Sequence, residues 1–169
     1  MQTETMLDEI ERTTQLDALA SFYIDKVGKP LADGPFGDFL KGKWLGHPMH
    51  PMLTDLPIGF WTSGMVLDFL APRSGRKAAQ RLIALGTLSA IPTALAGLTD
   101  ASSIEDPAER RVVAAHAVGN STATLMFALS WRARHRGHHA RGVAWSLLGG
   151  TVATGAGLLG GNLAFGRSK

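Results

Sequence analysis

Val112–Trp131 reads VVAAHAVGNSTATLMFALSW, twenty residues with no Asp, Glu, Lys or Arg. A helix needs about 20 mostly apolar residues to cross a ~30 Å hydrocarbon core. A soluble surface helix would show a polar face of Glu and Lys, which this stretch lacks. Leu82–Thr99 and Gly142–Gly166 are equally free of those four residue types, and Leu56–Pro72 (LPIGFWTSGMVLDFLAP), the shortest, holds one charge, Asp68. The pattern predicts an all-α integral membrane four-helix bundle, with spans at about 56–72, 80–99, 109–131 and 142–165. The competing reading is a soluble helical bundle. Residues 1–46 are expected to form an N-terminal amphipathic, interfacial helical segment and residues 47–169 the membrane domain.

Composition agrees with that division. The 169 residues suit one small bundle, and the absence of Cys excludes disulfides, a Cys-ligated iron–sulfur cluster, a Cys zinc site and thiol catalysis. Residues 1–55 carry nine acids and five bases, net −4, and residues 56–169 five acids and twelve bases, net +7. The surplus bases lie between apolar segments rather than on one patch, so nucleic acid is not an expected partner and the bilayer is. Loops one and three hold eight bases (Arg73, Arg76, Lys77, Arg81, Arg132, Arg134, Arg136, Arg141) against six on the other side (Lys41, Lys43, Arg110, Arg111, Arg167, Lys169). This bias places loops one and three in the cytoplasm and both termini outside an inner or plasma membrane. Trp131 and Trp145 flank loop three as an aromatic belt would.

Met1–Glu11 is acidic and no apolar core leads to a small-residue cleavage site, so the start reads as mature protein. Thr5–Val27 places Leu7, Ile10, Leu16, Leu19, Tyr23 and Val27 at helical spacing, with Gly28 as a stop. After the turn signal Asp33-Gly34-Pro35, the spacing of Phe36, Phe39, Leu40, Lys43 and Trp44 predicts a short helix in the membrane interface, or one docked on a partner. Thr54 or Asp55 with Pro57 is expected to start the first span, and Asp106-Pro107 with Glu109 the third. Gly149, Ala153, Gly157 and Gly161 make a small-residue face on the fourth span suited to homo-oligomer packing, and Gly86, Ala90 and Ala94 a similar stripe on the second. Pro92 is expected to kink the second span.

The chemistry collects on one face. Gly46-His47-Pro48-Met49-His50-Pro51 sets two imidazoles three residues apart, each expected in extended backbone before a proline. Helix alternation brings His47, His50, Asp55, Asp100, His116 and Asn162 to one membrane face, with Asn120 and Thr124 on the same helix face as His116. Ionisable groups there are functional candidates. Each also has a plainer role. Asp55 can be a cap, Asp100 can meet Arg110 or Arg111, and His116 with Asn120 can be hydrogen-bond partners between helices. His47 and His50 can simply shape a loop. Asp68 is expected to pair with Arg73 or Arg76, and His135, His138 and His139 to belong to a solvated basic loop meeting anionic lipid. Three imidazoles and two carboxylates suit haem iron, copper, zinc or non-haem iron, or a proton relay to a quinone. His47, His50, His116, Asp55 and Asp100 are the candidate metal ligands, and His50, His116, His47, Asn120 and Asn162 the candidate cofactor contacts. No nucleophile elbow, HExxH or phosphate loop is present, and enzymatic activity is left open.

WLGHPMHPMLTDLPIGFW (Trp44–Trp61), Asp68, GLTD (Gly97–Asp100), AHAVGN (Ala115–Asn120) and LGGNLAF (Leu159–Phe165) resemble the bacterial membrane proteins known as domain of unknown function 2231. The resemblance covers roughly residues 36–166 and implies a four-span membrane protein. Relatives fused to Rieske-type or cytochrome-type domains imply redox partners. That family's last span usually reads GGHL, and Asn162 stands at its histidine. The expected function is a small membrane redox or electron-transfer subunit binding haem b or a transition metal ion, with His50 and His116 as favoured ligands and His47 as a spare. The alternatives are a non-catalytic scaffold or assembly partner with a structural His/Asp/Asn network, whose acidic N-terminal segment docks a soluble protein, and a metal or small-solute permease that would need to oligomerise.

Overall fold

A computed structural model describes residues 2–165 of the chain; Met1, Gly166, Arg167 and Lys169, drawn on above, lie outside them. Every regular element among the described residues is helical. The chain runs through α1 (Gln2–Arg12), α2 (Asp17–Ser21), α3 (Lys29–Ala32), α4 (Gly34–Leu40), α5 (Met49–Leu70), α6 (Arg76–Ala101), α7 (Pro107–His135) and α8 (His139–Phe165). Of these, α6, α7 and α8 are long and apolar enough to cross a membrane. The first expected span, α5, is not among them. Its 22 residues include Thr54, Asp55, Pro57, Thr62, Ser63 and Asp68, which dilute the apolar run.

The helix ends follow local chemistry. Asp106 caps α7 as its sequence predicts, its Oδ1 accepting the Glu109 N–H at 2.9 Å, with Pro107 where no intrahelical donor is needed. At the other end Gly137, at φ +82, lets the His138 N–H reach the Ala133 carbonyl (2.9 Å) and the Gly137 N–H the Arg134 carbonyl (3.0 Å). This is the crossed pair that closes a helix through a left-handed residue, and α8 starts at once. The expected start of α5 is displaced. It begins at Met49, so Pro57 falls inside it. Proline has no N–H, which leaves the Leu53 carbonyl without its helical donor. The Thr93 hydroxyl of α6 donates to that oxygen at 3.1 Å.

The chain divides into two compact units. The first holds the segments up to His50, Ala94–Gly119 and from Gly155 onward. In it the single helix expected over Thr5–Val27 is broken. α1 ends at Arg12, a short 3-10 turn spans Thr14–Leu16, and a π-helical stretch Phe22–Gly28 follows α2. Gly28 does not stop the chain but lies against the Leu98 carbonyl, where a Cβ would come within 2.5 Å. Leu7 packs with Val112 and Leu159, and Ile24 with Ala101 and Val113. Arg111 donates to Asp17 (2.6 and 3.2 Å) and to the Glu11 carbonyl (2.6 Å), and Arg110 to Asp25 (2.5 Å). These bonds hold both carboxyls below the ordinary aspartate range, Arg111 acting on Asp17, and Arg110 followed by Lys29 on Asp25. Phe39 in α4 stacks on Trp44 beyond its end (5.9 Å, 10°), and Phe36, Phe39 and Trp44 are exposed. Lys43 and Trp44 lie past the helix end, because the chain turns at Gly42 (φ +71).

The second unit holds Pro51–Thr93 and Asn120–Thr154. Its interior is Trp61, Ile83, Ala90 and Phe127, with Met65 and Trp131 against them. Trp61 and Phe127 stack at 4.1 Å and 8°, and Gly86 leaves room for the indole. Leu56, Ile58, Phe69, Leu85, Leu88, Ile91, Leu125 and Leu148 are exposed. That many large apolar side chains facing outward is what lipid, rather than water, permits.

Candidate functional site

His50 lies in the first turn of α5, not in the extended backbone expected, because Pro51 is tolerated in a helix's opening turn. Its imidazole rests on α6, where Gly97 leaves space: a Cβ there would lie 2.8 Å from Cε1 and 2.9 Å from Nδ1. His116, ten residues into α7, is seated the same way on α8, where a Cβ on Gly160 would lie 2.6 Å from its Cε1. The two rings meet edge to face, centroids 6.4 Å apart and planes at 88°. Asp100, half-buried three residues beyond Gly97 on the same side of α6, is within electrostatic reach of His50 and Lys41.

The protonation of His116 follows from its contact. Its Nδ1 lies 2.8 Å from the Ala156 carbonyl oxygen. A carbonyl only accepts, so Nδ1 carries the hydrogen and donates it, and the neutral ring has its lone pair on Nε2. This pinning of one nitrogen by a carbonyl is the arrangement by which proteins orient imidazole ligands.

The other candidates are placed differently. His47 is exposed in the turn before α5, its carbonyl against Gly42. Asp55, exposed on α5, and Asn120, half-buried one turn beyond His116 on α7, belong to the second unit. Asn162 is half-buried two residues beyond Gly160, about 200° further around α8, so Gly160 and Ala156 rather than Asn162 face His116. Arg110 and Arg111, offered above as partners for Asp100, bind Asp25 and Asp17 instead. Among the described residues no three of His, Asp and Glu gather as a metal site of protein ligands would require. On the fourth-span stripe, Gly149 packs on Phe127, while Gly157 and Gly161 face open space.

One polar centre is missing from the sequence reading. In the second unit Arg134 is buried, its side chain 1% exposed, and grips the 3%-exposed Asp68 with two parallel bonds of 2.8 and 2.5 Å. Its Nε donates to the Ser130 hydroxyl (3.1 Å) and the Nη2 that bonds Asp68 also donates to that of Ser146 (3.2 Å); Ser130 donates to the Gly142 carbonyl (2.7 Å). His139 lies 3.4 Å from the same carboxylate. This corrects the expected pairing of Asp68 with Arg73 or Arg76 and the assignment of Arg134 and His139 to a solvated loop. α7 continues to His135, so Arg134 is a helical residue one turn from Ser130. A lone carboxylate in an apolar span and an Arg four residues after a Ser were the available signals.

A family model described as Predicted membrane protein (DUF2231) matches residues 46–167, which include both histidines, Gly97, Gly160, Asp68 and Arg134. No curated protein and no solved structure matches the chain.

Proposed function

We propose, from the premise that this chain belongs to the predicted membrane protein family DUF2231, that it is a four-span integral membrane protein acting as a small redox or electron-transfer subunit. In this reading α5 joins α6, α7 and α8 in the bilayer, and His50 and His116 hold haem b or a transition metal ion. The observation that carries it is the meeting of these imidazoles, 66 residues apart in sequence and on different helices, one of them already oriented through Nδ1. Two imidazoles without a third gathered protein ligand would suit a haem iron, or an ion completed by non-protein ligands, better than a closed structural site, with His50 and His116 supplying the nitrogen ligands.

When bound, such a centre supplies one-electron transfer. The chain's own residues supply the rest. Ala156 fixes the His116 ring, Gly97 and Gly160 admit the rings against the helices, and the Asp100 carboxylate offsets positive charge beside His50. The partners fitting this role are Rieske-type or cytochrome-type proteins, and the outward Gly157 and Gly161 suit a second copy. The basic loops favour an orientation with both termini outside the inner or plasma membrane.

The test is a visible spectrum, oxidised and dithionite-reduced, with elemental analysis of detergent-purified chain. Haem bands or one equivalent of metal per chain, lost in His116→Ala and kept in His138→Ala, is the expected result. Equal occupancy in His116→Ala and wild type refutes the assignment. The scaffold reading is favoured by one observation, the edge-to-face contact of the rings, and material holding neither haem nor metal, produced with both supplied, selects it.

A further inference from the structure

Between α7 and α8 a surface hollow of about 210 Å³ is lined by Leu129, Arg132, Ala133, Arg136, His138, Arg141 and Trp145. The spacing explains the assembly. Residues 129, 132 and 133 fall on one face of α7, 136 and 138 follow in the turn after it, and 141 and 145 are one turn apart on α8. Arg134, between them in sequence, points inward to Asp68, so the chain sorts its arginines: 134 is neutralised inside, 132 near the end of α7 and 136 in the turn after it are exposed. No acidic residue lines the hollow, and among the described residues Arg132, Arg136 and Arg141 form no ion pair.

We propose that this hollow binds the phosphate headgroup of an anionic phospholipid. Three guanidinium groups supply forked donors that match phosphate oxygens, and His138 adds a ring nitrogen. The remaining lining is apolar. Leu129, Ala133 and Trp145 give inorganic phosphate nothing to bind, whereas a lipid's glycerol and upper acyl chain can lie on them, with the indole at headgroup depth. One turn further along each helix come Leu125, 60% exposed, and Leu148, 53% exposed, which continue the apolar track. A zwitterionic headgroup would bring its own cation toward three arginines without a compensating carboxylate. The ligand is therefore a lipid of net negative charge, and the proposal is independent of what His50 and His116 hold.

The experiment is native mass spectrometry of the full chain in neutral detergent, titrated with phosphatidylglycerol, phosphatidylcholine or inorganic phosphate. One phosphatidylglycerol is expected to be retained ahead of all others, without competition from equal phosphatidylcholine or phosphate. Each Arg→Gln change at 132, 136 or 141 weakens it ~5-fold and the triple variant ~100-fold, from about one surface-lipid contact's energy per base. The control Arg73→Gln/Lys77→Gln, exposed bases just before and at the start of α6, leaves it unchanged. Undiminished binding in the triple variant, an equal loss in the control, equal retention of phosphatidylcholine, or displacement by equimolar phosphate overturns the proposal.

Discussion

Arg134→Met and Asp68→Leu, singly and together, test whether the buried pair stabilises by itself or only because each charge needs the other. The geometry sets the magnitude. Arg134 makes two charge-assisted bonds to Asp68, 2.8 and 2.5 Å long, each contributing about 1.5–3 kcal/mol. Removing Arg134 leaves a 3%-exposed carboxylate with only His139 at 3.4 Å, and removing Asp68 leaves the guanidinium with two serine hydroxyls. Either change should cost about 3–5 kcal/mol, as for other buried pairs broken on one side. The double variant removes both charges and leaves Ser130 bonded to the Gly142 carbonyl and to Ser146 (2.7 Å each). It should fold within ~1 kcal/mol of wild type, so the coupling energy is at least about 5 kcal/mol. The assay is reversible unfolding of purified chain in mixed micelles by SDS titration, followed by helical circular dichroism. A double variant no more stable than the weaker single, or singles that each cost under ~1 kcal/mol, refutes the reasoning.

Three further outcomes are expected. Gly160→Ala places a methyl 2.6 Å from His116 Cε1, so on the proposed function it should lower ligand occupancy, as is expected of His116→Ala, while the chain still inserts, read by the spectrum of the purified variant. Thr93→Val removes the donor to the Leu53 carbonyl that Pro57 leaves open and should destabilise by about 1–3 kcal/mol in the same SDS titration. Asp17 and Asp25 ionise below the ordinary value of 3.8 because Arg111 and Arg110 hold them; their stabilisation is complete above that value and is lost as pH falls through the lowered range. Pepsin cleavage within residues 13–28 should therefore rise below about pH 3.8, and pH-independent cleavage would contradict the ion-pair anchoring.

Apolar runs marked all four long helices in the sequence, and helix alternation was enough to bring His50, Asp100 and His116 to one face. Both signals are local, one counting residues against a bilayer and the other counting turns. What was not legible depends on pairing across long separations. Nothing near Asp17 names Arg111, 94 residues away, and nothing near Asp25 names Arg110. Arg134 was hidden by its neighbours, since Arg132, Arg136 and Arg141 are exposed and a basic run is ordinarily solvated. The N-terminal segment misled for a different reason. Its period fits one helix, but Thr13 bonds back to the Glu9 carbonyl (2.6 Å) at the end of α1, and packing of Gly28 on α6 overrides that glycine's tendency to stop a helix. The seats at Gly97 and Gly160 were invisible because a glycine in an apolar span reads only as a packing residue.

The Asp68–Arg134 clasp also bears on how the chain is made. Synthesis delivers the carboxylate first, and its guanidinium is 66 residues behind, roughly 3–13 s at ~5–20 residues per second. During that interval α5 carries an unanswered charge beside apolar residues, an arrangement a bilayer tolerates poorly. In the four-span reading proposed above, α5 would be made well before α7 supplies the partner of its charge. A nascent chain truncated before residue 134 would hold Asp68 without the guanidinium that grips it in the finished fold.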